Sequence, residues 1–60
     1  MRFAIATADG KHRLAKATNL NTAKKLARIL SIDHYRTLVI DETYKLRATF
    51  DSGKEVEVSA

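Results

Sequence analysis

Sixty residues, a net charge of +4 and a pI near 9.8 describe one small domain, residues 1–60, whose thin core leaves little room for an enclosed pocket. The absence of cysteine excludes a disulfide framework and a Cys-based zinc site, and no apolar run approaches the roughly 18–20 residues of a membrane span. The opening "MRFAIATADG" is too short and too alternating for a secretory signal, so the cytoplasm is the expected location.

Residues 1–7, "MRFAIAT", alternate as a strand does, with Met1, Phe3 and Ile5 on one face and Arg2, Ala4 and Ala6 on the other. Asp9-Gly10 then suits a type I′ turn, which needs positive φ at both central positions. A second strand, residues 12–18, alternates more weakly, with Arg13, Ala15 and Ala17 on one face and Leu14 and Lys16 on the other. Its alanines imply that something bulky approaches closely, and the next element is the natural candidate.

That element is a helix over about residues 20–31. Asn19 is a good N-cap, with Thr18 and Asn21 as alternatives. At about 100° per residue, Leu20, Ala23, Leu26, Ala27 and Leu30 form one apolar stripe, with Asn21, Lys25 and Arg28 opposite and Lys24 on the flank. An acidic side chain is unfavourable at a helix C-terminus, so the helix is expected to end before Asp33, with "SIDH" turning the chain.

Residues 35–41, "YRTLVID", are rich in β-branched and aromatic types. After a turn at "DET", residues 44–50 alternate, placing Tyr44, Leu46, Ala48 and Phe50 inward and Lys45, Arg47 and Thr49 outward. "DSGK" reads as a three-residue hairpin loop with Gly53 in the left-handed position. "EVEV" closes the chain, with Val56 and Val58 inward and Glu55 and Glu57 outward. The order is ββαβββ, and short links between strands make antiparallel hairpins. The expected fold is α+β, with one helix packed on a five-stranded antiparallel sheet in two layers.

Catalytic chemistry finds little to work with. Ser31, Asp33 and His34 are neighbours in one turn, and a triad is defined by geometry rather than adjacency. His12, Asp33 and His34 match no metal-ligand spacing, and neither a Walker motif nor GxGxxG is present. The expectation is therefore no enzyme, no catalytic residue, no metal and no cofactor. Glu55 and Glu57 read as cross-strand partners of Lys45 and Arg47.

Charge is more informative because it is uneven. Residues 1–36 carry eight Lys/Arg against Asp9 and Asp33, whereas residues 37–60 carry three against five acids. A basic half points to an anionic partner. Two surfaces qualify. The helix offers Lys24, Lys25 and Arg28 beside Asn21, and the open sheet face offers Lys45, Arg47, Arg2 and Lys16, with Tyr35 or Tyr44 as an added aromatic. The ordinary alternative for both is a solvated face.

The stretch "ATNLNTAKKLARIL", followed by a three-strand meander, resembles small phage anti-CRISPR proteins, especially inhibitors of type I-F surveillance complexes. The resemblance covers some 10–14 residues and the topology. It implies a helix on a five-stranded antiparallel sheet, binding to the CRISPR complex in competition with target DNA, and helical basic residues that engage the complex, here Lys24, Lys25 and Arg28. On that footing the chain would be a non-enzymatic inhibitor in the host cytoplasm, with Lys45, Arg47 or Lys16 as a second contact. Two alternatives stand beside it: a small basic domain that binds DNA directly, and a structural or protein-interaction module. Monomer and homodimer are both open, since an edge strand at 1–7 or 54–58 can pair with a copy of itself.

Overall fold

The chain order is β1 (Phe3–Thr7), β2 (Arg13–Ala17), α1 (Leu20–His34), β3 (Arg36–Asp41), β4 (Leu46–Asp51) and β5 (Lys54–Val56). It is seen in a computed structural model that describes residues 2–56, so the expectations for Met1, Glu57 and Val58 fall outside the described residues. The strands form one sheet in the order β2-β1-β3-β4-β5, with every neighbouring pair antiparallel. Helix α1 covers one face of it. This is the expected two-layer α+β arrangement.

Small residues set the distance between the layers. Ala23, Ala27 and Ser31 recur every four residues and are the buried line of α1, while Leu20, Leu26 and Leu30 pack half-buried on its flanks. They meet Phe3 and Ile5 of β1, Ala17 of β2, Val39 of β3, and Ala48 and Phe50 of β4. Thr37, fully buried on the same face, satisfies its hydroxyl by donating to the carbonyl of Ala27 at 2.7 Å.

The helix starts as expected and ends later. Asn19 caps it, its side-chain oxygen accepting from the Thr22 N–H at 2.8 Å. Instead of stopping before Asp33, α1 runs on to His34 and is ended by Tyr35 at φ 68°. Ser31 explains the extra turn. It is fully buried, its Oγ donates to the Arg28 carbonyl at 2.7 Å, and it accepts from the Gly53 N–H at 2.8 Å. That tertiary tie outweighs the dipole penalty of Asp33, which is exposed to solvent, where the penalty is only about 0.3–1 kcal/mol.

Both hairpin loops differ from expectation. At the first, Gly10 alone has positive φ, and its N–H donates to the Thr7 carbonyl at 2.8 Å, so the turn closes around Ala8–Asp9 rather than Asp9–Gly10. At the second, Asp51 pairs with Lys54, leaving a two-residue loop in which Ser52 and Gly53 have φ of 51° and 85°. This is the I′ signature. The helix end holds it in place, since the Ser52 N–H donates to the Tyr35 carbonyl at 2.7 Å.

Two bulges change which face a residue occupies. In β2 the register slips at Leu14, so Arg13 lies opposite Ala6 while Lys16 lies opposite Ala4. Arg13 therefore shares a face with Lys16, not with Ala15 and Ala17. In β4 it slips at Arg47, so Leu46 lies opposite Ile40 on the face away from α1. Leu46 and Tyr44 are thus not inward, and are 45% and 79% exposed. The last strand is also reversed. Val56 pairs with Thr49 on the open face, and Glu55 pairs with Phe50 on the helix side. In β5 the cause is the loop, one residue shorter than expected, and in β2 and β4 it is one extra residue in the strand; with a period of two either is enough to invert what lies beyond.

Candidate functional site

The helical basic cluster divides on inspection. The ammonium of Lys24 lies 3.4 Å from the carboxylate of Glu55, and Arg28 Nε donates to the Gly53 carbonyl at 3.1 Å. With the Ser31–Gly53 bond, these contacts fasten the β4–β5 hairpin to the helix. Glu55 therefore does not face Lys45 or Arg47 as expected, because the reversed register of β5 delivers it to Lys24. Lys25 and Asn21 are exposed and make no side-chain bond among the described residues. Of the cluster's three cations, two serve the fold.

Arg47 is likewise engaged. Asp41, buried at the end of β3, accepts from the Thr43 hydroxyl at 2.6 Å, the Thr43 N–H at 2.9 Å, the Lys45 N–H at 3.0 Å and an Arg47 guanidinium nitrogen at 3.3 Å. The Thr43 hydroxyl and the Lys45 N–H do most to stabilise the carboxylate. They overcome the effect of burial and hold its pKa down at about 2. Asp41 is thus an anion at any ordinary pH and neutralises Arg47 in place. Lys45 remains exposed on the turn.

Lys16 has different company. The open face of the sheet holds a concavity of about 450 Å³ whose walls include Arg2, Arg13, Lys16 and Tyr44, with Ala4 and Ile40 beneath. Ala4 is buried even on this side and Ile40 half-buried, so the floor is apolar. The bulge at Leu14 brings Arg13 there, and the alternation of β1 carried back one residue brings Arg2. Among the described residues none of these three cations forms an ion pair. Glu42 and the compensated Asp41 also border the space, which leaves its net character positive.

Arg13 was assigned to the opposite face by simple alternation, and the weak periodicity of β2 was the one hint of irregularity. Tyr44 was placed inward by the same alternation but was also a candidate aromatic of the open face, which it borders. The remaining chemistry-bearing residues do not converge. Ser31 is buried and bonded at both ends, Asp33 and His34 are exposed, and His12 lies 4.0 Å from Asp9 on the first hairpin loop. Among the described residues no metal-holding cluster of His, Cys, Asp or Glu occurs, and no helix is long and apolar enough to cross a membrane.

In comparisons with known proteins, the chain matches no family model, no curated protein and no solved structure. What fold and site define is a class: a two-layer α+β domain with a cation-walled groove on the uncovered face of its sheet.

Proposed function

We propose that this chain is a non-enzymatic binding domain for nucleic acid that acts by occupancy. The observation that carries this reading is the gathering of Arg2, Arg13 and Lys16 around one groove, with no ion-pair partner for any of them among the described residues. Cations with no internal acid remain available to phosphates, and displaced counterions then make binding strongly salt-dependent. Three phosphate contacts to a single strand give a slope of about −2 in log K against log salt, or about a 20-fold loss between 50 and 200 mM. A gel shift or anisotropy titration at those two salt concentrations tests it. No binding to either single-stranded or duplex DNA at the lower salt would refute it.

A second reading, inhibition of a CRISPR surveillance complex, is favoured by Lys25 and Asn21, which stand exposed on the helix beside the resemblance described above. Lys24 and Arg28 are poor probes of it because their loss also loosens the β4–β5 hairpin. Lys25→Glu is the clean variant. Capture of a surveillance complex from a CRISPR-bearing lysate, abolished by Lys25→Glu and insensitive to nuclease, would support this reading over direct DNA binding. Unchanged capture by Lys25→Glu would remove the helix face from consideration.

A further inference from the structure

The groove has a feature that phosphate attraction alone does not explain. Tyr44 stands on its wall with 79% of its surface exposed and with φ at 64°. That backbone conformation favours Gly or Asn and costs other L-residues about 1–2 kcal/mol. The ring recovers nothing through burial. The turn itself is closed by backbone and Asp41 contacts, with the Tyr44 N–H donating to the Asp41 carbonyl at 2.9 Å and the Asp41 N–H to the Lys45 carbonyl at 3.0 Å. None of these needs an aromatic side chain.

We infer that the groove takes one unpaired nucleotide of a single-stranded nucleic acid, its base laid on the Tyr44 ring and its neighbouring phosphates held by Arg2, Arg13 and Lys16. This rests on the nucleic-acid reading above and narrows it. The volume, about 450 Å³, lies within the range of small-molecule sites and admits a nucleotide unit, not a duplex. Ala4 and Ile40 supply the apolar floor against which a base excludes water. A paired base has both faces covered by its own stack, so only an unpaired one offers a face to Tyr44. Such stacking tolerates any base, because each has a π-face. Self-association through this face is disfavoured, since a two-fold contact would bring the three cations of one copy near those of the other.

The test is fluorescence anisotropy with three labelled probes: a short oligothymidylate, an abasic strand with the same number of phosphates, and a blunt-ended duplex of two complementary strands. Tyr44→Asn removes the ring while suiting the left-handed backbone, so the turn is kept, and Tyr44→Phe retains the ring. The expected result is that wild type prefers oligothymidylate to both other probes. Tyr44→Asn should lose about 5- to 150-fold on oligothymidylate and little on the abasic strand, with Tyr44→Phe close to wild type. Arg13→Gln with Lys16→Gln should weaken oligothymidylate and abasic strand alike. If Tyr44→Asn binds oligothymidylate as wild type does, or the duplex binds as tightly as the single strand, the inference is overturned while nucleic-acid binding stands. If no probe binds, both fall.

Discussion

Truncating one buried hydroxyl tests the join between helix and last hairpin. Ser31 is fully buried, and its Oγ both donates to the Arg28 carbonyl and accepts from the Gly53 N–H. Ser31→Ala removes both bonds and leaves the partly buried Gly53 donor without its acceptor, at a cost of about 1–3 kcal/mol. Alanine is the better helix former by up to about 0.5 kcal/mol, which offsets part of this. The net expectation is a loss of about 1–2 kcal/mol. At roughly 0.05–0.15 kcal/mol per residue a domain of this size has only about 3–9 kcal/mol in total, so the loss is a large fraction. It corresponds to a fall in Tm of about 5–15 °C. Thermal and urea unfolding followed by circular dichroism measure it, and hydrogen exchange at the Gly53 amide reports the local contact. A Ser31→Ala protein as stable as wild type, with unchanged exchange at Gly53, would refute the claim that this hydroxyl fastens hairpin to helix.

Arg28→Ala should cost about 1 kcal/mol by releasing the Gly53 carbonyl, whereas Lys25→Ala should stay within about 0.5 kcal/mol, since Lys25 holds nothing among the described residues; urea denaturation of the two side by side distinguishes a structural from an idle cation. Thr37→Val keeps the shape and loses the hydroxyl bond to the Ala27 carbonyl, with an expected loss of about 0.5–1.5 kcal/mol and an unchanged m-value in the same assay. Asp41 has a folded-state pKa near 2, below its unfolded value of 3.8, so its contribution is complete above pH 4 and is lost as the pH falls toward 2. Melting temperatures across that window should fall more steeply for wild type than for Asp41→Asn, with any slope left in the variant coming from groups such as Asp9, whose pKa is also lowered by its bonds from the Thr7 hydroxyl and the Lys11 N–H. Equal slopes would show that Asp41 is not the acid-sensitive anion.

Much of the architecture was legible because it rests on local signals. The alternation of Phe3 and Ile5, the cap at Asn19 and the apolar stripe Leu20, Ala23, Leu26, Ala27 and Leu30 each concern a few neighbouring residues, and together they lead to ββαβββ. The groove was only partly legible. Lys16 and Arg2 were expected on the open face and are there, Arg13 was assigned to the opposite face by alternation that the bulge at Leu14 interrupts, and Tyr44 was read both as inward by alternation and as an added aromatic of the open face. The helical cluster was visible as charge, yet charge does not reveal that Glu55 and the Gly53 carbonyl lie within reach of it.

What the sequence determined by itself is therefore the order and kind of the elements, since cap chemistry and side-chain period act over a turn or a few strand residues. What only the tertiary structure decided is which face each side chain takes beyond a bulge, how far the helix runs, and which cations remain unpaired among the described residues. The face beyond a bulge is set by pairing with the neighbouring strand, whereas the helix end and the pairing of its cations depend on residues more than twenty positions away, as Ser31 with Gly53 and Lys24 with Glu55 show. A register slip of one residue in a strand of period two leaves composition untouched and reverses the surface.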